Sequence, residues 1–221
     1  MKVILFGSTG MIGQGVLNEC LNDDRVESIL VLNRQTCGKA HPKLKEIIHY
    51  NFFDLSLLSK KMTGYDACFF CLGVSSLGMK EIQYNRMTYE LTIYVARTLS
   101  ELNKDMTFCY VSGAGTDSSE KGNSMWARVK GKTENELLKM PFKNAYMFRP
   151  GFIQPMGGIK SKTKLYNVLL SIFKPFYFIL KHIKSMVTNT QTLGKAMIIV
   201  ASKGFEKKIL RSRDINNIVN H

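Results

Sequence analysis

Acidic residues are scarce in this sequence: 17 Asp and Glu face 31 Lys and Arg, a formal net charge of +14. Such a surface invites a nucleic-acid reading. No nucleic-acid-binding motif is present, however, and the basic residues are scattered with one cluster late in the chain, so no nucleic-acid partner is expected. Phosphorylated cofactors and anionic membranes suit the same charge. Cysteine is sparse and odd in number, five in 221 residues and without a disulfide-like framework. That favours a reducing setting, and on this ground the cytoplasm. No charged segment, apolar segment and cleavage site precede the first strand, so no signal peptide is expected. Lys174-Pro175 breaks the apolar run within 160–184, which argues against a spanning helix. There is no internal repeat and no low-complexity segment. What is present is a globular composition, 45% hydrophobic and 22% charged, in a chain long enough for one domain with a large core.

One stretch organises the rest. The apolar run Val3-Ile4-Leu5-Phe6 ends in Gly7-Ser8-Thr9-Gly10-Met11-Ile12-Gly13, after which a helical pattern begins. Strand, tight turn and helix N-terminus in this order form a place for a dinucleotide pyrophosphate. Gly7 allows the turn, Gly10 lets phosphate approach the backbone, and Gly13 lets the helix pack on the strand. The amides and dipole at the helix start attract the phosphate charge.

Further along, strands are expected at 2–6, 27–32, 45–50, 66–72, 107–111 and 145–148. Helices are expected at 11–21, 79–103 and 124–140, with a short one from 55 to about 61. This alternation predicts an α/β fold: a doubly wound parallel sheet of Rossmann type, helices on both faces, and a small, mostly helical C-terminal extension. The expected division is a dinucleotide-binding domain at 1–155 and an extension at 156–221 packed on it. In the extension, a helix is expected at 190–202, a short strand at 207–210 and a last helical turn at 214–219.

Ligands bind such sheets beyond the strand C-termini, where the candidate residues fall. Arg34 follows the second strand. It suits the 2′-phosphate of NADP, or is an ordinary solvated arginine at a strand end. NADP(H) is therefore expected in preference to NAD(H). Asp54 either accepts from the adenine amino group or caps the short helix. Leu72-Gly73 opens a small-residue loop able to lie along the cofactor. Cys68 and Cys71 form a C-x-x-C, but three residues apart on a strand they face opposite sides, so core packing is expected and no metal site.

The glycine stretch, Asp54-Leu55, Cys71-Leu72-Gly73, Ser112, Lys130 and Arg149-Pro150-Gly151 together resemble the short-chain dehydrogenase/reductase superfamily, specifically its atypical and extended, epimerase-like members. Val129-Lys130-Gly131 followed by Glu134, with Phe148-Arg149-Pro150-Gly151 beyond, is most similar to the Tat-interacting oxidoreductase-like branch. The resemblance covers roughly 1–155. It implies cofactor contacts from Gly7 through Gly13, Arg34, Asp54, Leu55, Cys71, Leu72, Gly73, Lys130, Pro150 and Gly151. It implies catalytic positions at Ser112, Trp126 and Lys130, and an Asn85 beside the cofactor that supports the lysine in many members. The family pairs a Tyr with a Lys four residues on, which places both on one helix face. Here the tyrosine slot holds Trp126. Indole donates a hydrogen bond but shuttles no proton near neutral pH. Tyr84, Tyr89 and Tyr110 are replacements by type only, and Trp126 reads equally as a pocket wall or a core residue.

Two functions follow. One is an NADP-preferring oxidoreductase or nucleotide-sugar-epimerase-like enzyme acting on an unidentified small molecule. The other is a non-catalytic NADP(H)-binding regulator or scaffold. The basic amphipathic 160–184 is expected to cover the cleft, to pair subunits in a homodimer, or to touch a membrane surface.

Overall fold

The computed structural model describes residues 1–159 and 186–220. Strands apolar at every position must be covered on both faces, and that requirement builds the molecule. Seven parallel strands form one sheet: β1 (Lys2–Phe6), β2 (Ser28–Asn33), β3 (Leu44–Ile48), β4 (Ala67–Phe70), β5 (Thr107–Val111), β6 (Asn144–Arg149) and β9 (Ile209–Arg211). Their order across the sheet is β3-β2-β1-β4-β5-β6-β9, so the winding reverses between β1 and β4. Phe6 pairs with Phe70 at that reversal. Ligands settle in the crevice that such a reversal opens.

Alternate side chains of each strand enter different cores. Val3, Leu5, Ile29, Val31, Phe69 and Phe148 share one cluster with Val16 and Leu17 of α1 (Met11–Asn22), Leu193 and Met197 of α6 (Thr190–Lys203) and Ile215 of α7 (Ser212–Asn220). Ile4, Phe6, Leu30, Cys68, Phe70 and Tyr110 share the other with Met62 of α2 (Ser59–Met62), Val95 and Leu99 of α4 (Leu91–Leu102) and Leu137 of α5 (Met125–Leu137). The doubly wound α/β architecture expected from the alternation of apolar runs is the one observed. Cys68 sits in the second cluster, whereas Cys71 packs against the first.

Three details differ from the sequence-based expectation. The helix expected at 79–103 is divided: α3 (Glu81–Asn85) passes through a π turn at Arg86–Glu90 into α4. Side-chain spacing alone registers no such turn. No strand was assigned to 152–154 or 187–189, yet β7 (Phe152–Gln154) pairs in parallel with β8 (Val187–Asn189). A three-residue strand carries too little alternation to be seen. The last helical turn expected at 214–219 is a helix over Ser212–Asn220 that follows directly on β9. The reading of 160–184 as a basic amphipathic segment lies outside the described residues.

Candidate functional site

The glycine loop crosses from β1 to α1 at the reversal. A side chain on Gly7, which has φ +83°, would press within 2.8 Å of the Cys71 carbonyl group, and one on Gly13 would lie 2.0 Å from the Gly7 carbonyl oxygen. Both positions therefore demand glycine. The Gly10 amide donates to the Gly7 carbonyl at 3.0 Å and closes the turn. α1 then starts with no side-chain cap and no acidic residue in its first turn. Its first amides and the positive end of its dipole are left for an anion. Met11 and Ile12 pack on the first core cluster and contribute main chain to the loop. Ser8 does not line this site: its buried hydroxyl donates to Asn33 Oδ1 at 2.9 Å.

A cavity of about 480 Å³ adjoins the loop, lined by Gly7, Thr9, Asn33, Arg34, Tyr50 and Leu72 among others. A narrower slot of about 100 Å³ shares Arg34, Tyr50, Phe52 and Leu72 and adds Phe53, Gly73 and Met87. The apolar walls fit a flat aromatic ring, and the exposed Arg34 stands where the two spaces meet. Cys71 contributes its main chain: its amide donates to the Phe6 carbonyl at 3.0 Å, and burial pushes its thiol up to about 12.

Two of the expected contacts lie outside these two spaces. Asp54 engages one carboxylate oxygen locally, Oδ1 accepting from the Ser56 amide at 3.1 Å and the Ser56 hydroxyl at 2.7 Å; these bonds hold it below the usual carboxylate range. The cap position of the short helical turn at Ser56–Leu58 is Leu55, one residue later than the cap expected at Asp54. Leu55 is fully buried in the second core cluster, with its amide donating to the Tyr94 hydroxyl. Neither residue lines the two spaces.

On the other side of the reversal, Lys130 reaches from α5 to the end of β5. Its Nζ donates to the Ser112 carbonyl at 2.7 Å, and the Val111 carbonyl lies at 3.4 Å. Burial lowers the lysine to about 8, with nearby Glu134 working against that shift. Gly131 lets the loop after β5 pack on α5, since a Cβ there would sit 1.7 Å from the Asp117 carbonyl oxygen. Ser112 Oγ lies within hydrogen-bonding distance of Glu134 Oε1 and of the Phe148 carbonyl. Glu134, fully buried, holds Arg149 through both carboxylate oxygens, and Arg149 also meets Ser118. Sequence reasoning used Glu134 and Arg149 only as marks of resemblance and missed this network. The sequence showed only that Lys130 and Glu134, four apart, share a helix face; the link to Arg149 was not visible in it.

The Trp126 ring packs beside Gly115 in the loop after β5. No tyrosine proposed to replace it is well suited to exchange a proton. Tyr84 and Tyr110 are buried, and burial raises both hydroxyls. Burial also raises that of Tyr89, whose ring lies 4.2 Å from Lys132 Nζ. Asn85 donates to Glu90 rather than supporting Lys130. Pro150 accepts from the Ala114 amide, and the Gly151 amide donates to Ser212 Oγ at 2.9 Å. Gly151 and Arg149 line a third cavity, of about 500 Å³, with Gly115, Phe152, Met186 and Arg211.

The fold thus defines a class: a Rossmann domain of the kind found in NAD-binding short-chain dehydrogenase/reductase and epimerase structures. MoeE5 in complex with UDP-glucose and NAD superposes with a TM-score of 0.69 at 14% identity, over 96% of this chain and 75% of that one. WbmF of Bordetella bronchiseptica in complex with NAD+ gives 0.68 at 14%, over 99% and 77%. No protein-family model matches the chain. Among curated proteins it is similar to protein fmp52-2, mitochondrial, of Aspergillus terreus, 25% identical over 172 residues, 75% of this chain and 72% of that protein. It is also similar to the leucinostatins biosynthesis cluster protein T of Purpureocillium lilacinum, 24% identical over 180 residues, 79% of this chain and 64% of that protein.

These relatives correct the cytoplasmic expectation. The fmp52 proteins of several fungi are named mitochondrial. Unpaired cysteines report a reducing environment, not which compartment supplies it.

Proposed function

We propose that the chain binds a nicotinamide dinucleotide across the β1/β4 reversal, NADP(H) in preference to NAD(H), and acts as an atypical short-chain dehydrogenase/reductase-type oxidoreductase or epimerase-like enzyme of a mitochondrial setting. The observation that carries the reading is the α1 start. Its amides have no side-chain cap, the loop before it excludes Cβ atoms at Gly7 and Gly13, and the adjoining cavity is lined by Arg34. The residues fit the coenzyme in order. Gly7 through Gly13 take the pyrophosphate, Arg34 the 2′-phosphate, Leu72 and Gly73 the adenosine, Lys130 the nicotinamide ribose, and Pro150 and Gly151 border the reacting end. When bound, the nicotinamide supplies hydride transfer.

Ser112 and Lys130 then orient the ligand's oxygen and the ribose, and the cavity beside Arg149 and Gly151 takes the small-molecule substrate. Trp126 supplies a wall beside Gly115 and no proton. The non-catalytic alternative, an NADP(H)-binding regulator or scaffold, draws on Trp126 and on the burial of Tyr84 and Tyr110. Calorimetric titration with NADPH and NADH tests the binding; heat with neither coenzyme overturns both readings. A turnover screen with small alcohols and carbonyls, using the coenzyme that binds, separates enzyme from binder.

A further inference from the structure

The end of β2 is held in an arrangement that the coenzyme reading alone does not require. In dinucleotide folds an acidic side chain at this strand end takes the ribose 2′-hydroxyl. Here the place is filled by Asn33, only 3% exposed. Its side chain is engaged at both ends. Oδ1 accepts from Ser8, and Nδ2 donates to Glu46 Oε1 at 2.8 Å. Glu46 comes from the neighbouring strand, β3. It also accepts from the Cys37 amide at 2.8 Å and, through Oε2, from the Thr36 hydroxyl at 2.7 Å. One carboxylate thus ties Asn33, Thr36 and Cys37 together, and Arg34 and Gln35 form the segment between the tied points. That segment lines the cavity next to the glycine loop, whereas Glu46 does not. Partial burial works to raise the Glu46 carboxyl, but the bonds from Thr36, Cys37 and Asn33 outweigh it and hold the group below its usual value. It is therefore ionised near neutral pH and acts as an acceptor only.

Resting on the proposed coenzyme site, we infer that Glu46 is a positioning residue for coenzyme selectivity: by clamping Asn33, Thr36 and Cys37 it removes hydrogen-bonding groups from the ribose position and presents Arg34 to a 2′-phosphate. Glu46 touches no coenzyme atom in this account. It acts through the shape of the 33–37 segment. A flexible arginine loses rotamer and backbone freedom on binding phosphate, and a segment already tied on both sides of it loses less.

The test is a double-mutant cycle on the full chain, with NADPH and NADH affinities read by fluorescence titration. The variants are Arg34→Ala, Glu46→Ala, Glu46→Gln and Arg34→Ala/Glu46→Ala, each checked for an unchanged thermal midpoint. The unaltered chain is expected to prefer NADPH. Glu46→Ala is expected to weaken NADPH about tenfold and NADH less than about twofold. Glu46→Gln, which retains one acceptor oxygen, should fall between, and serves where the alanine variant does not fold. The double variant should lose no more than Arg34→Ala alone, because the two residues act in series. Equal losses for both coenzymes, additive losses in the double variant, or a selectivity ratio unmoved by either Glu46 variant would overturn the inference while leaving the coenzyme site in place. Binding of neither coenzyme by the unaltered chain would overturn that site and the inference together.

Discussion

The two halves of the sheet are built by opposite means. Around β1 and the start of α1 the site is shaped by what is missing: a Cβ at Gly7 and Gly13, and a cap at the start of α1. On the side of β5 and β6 it is shaped by what is paired: Lys130 on main-chain carbonyls, Ser112 on Glu134, and Glu134 on Arg149. The first half is a backbone surface waiting for charge. The second is a buried polar network that satisfies its own charge. A backbone cradle tolerates little change in shape, whereas a buried network tolerates little change in charge.

That contrast breaks most visibly at Glu134. Glu134→Ala strands the Arg149 guanidinium, whose side chain is only 10% exposed. Removing one partner of a buried pair costs about 3–5 kcal/mol, read as the shift of a denaturant midpoint. Glu134→Met combined with Arg149→Leu should recover most of that loss, and failure to recover would mean the pair does more than balance charge. Next comes the cradle. Gly13→Ala places a methyl 2.0 Å from the Gly7 oxygen, so stability should fall by about 3 kcal/mol and coenzyme binding should vanish. At Gly10 the nearest atom lies 3.4 Å away. Gly10→Ala should therefore leave the thermal midpoint nearly unmoved and weaken coenzyme binding alone.

Arg34→Ala sharpens the comparison rather than breaking it. NADPH affinity should fall on the order of tenfold to a hundredfold and NADH affinity hardly at all, as expected for loss of a charge-assisted bond. Lys130 supplies a pH test. With its value lowered to about 8 by burial, it is charged below that pH and neutral above. Coenzyme affinity should be flat below about pH 8 and weaken as pH rises through it, and Lys130→Arg should abolish the step. Folding stability responds with the opposite sign. The unfolded lysine keeps its proton up to its ordinary value of 10.5, so this group makes stability rise with pH between about 8 and 10.5. Trp126→Phe gives the smallest effect: NADPH affinity should stay within about twofold, since the ring lies beside Gly115 and not on the glycine loop. A large loss would place Trp126 on the coenzyme.

The comparison also explains how much of the site could be read in advance. Gly7, Gly10, Gly13 and the strand ends at Arg34 and Leu72 were legible because their spacing follows one short strand-turn-helix unit. That Ser112 and Lys130 come together was legible from the family resemblance. At Asp54 and Leu55 the sequence did not show that the acid would bond to Ser56 and the leucine would enter the core. Ser8 is a related case: its loop borders the cavity beside Gly7, but its hydroxyl donates to Asn33. The Asn33–Glu46 and Glu134–Arg149 links stayed hidden because the partners lie 13 and 15 residues apart, on two strands in the first case and on a helix and a strand in the second, and meet only once those elements pack together.

By itself the sequence determined the alternation of apolar runs, and with it the parallel sheet, its two covered faces and the turn that must be glycine. These follow from local sterics and from the need to bury strands on both sides. Which carboxylate meets which cation, which tyrosine is sealed from water, and which strand end is tied to its neighbour were decided only by the tertiary structure. Each depends on distances and burial between parts of the chain that no local rule brings together.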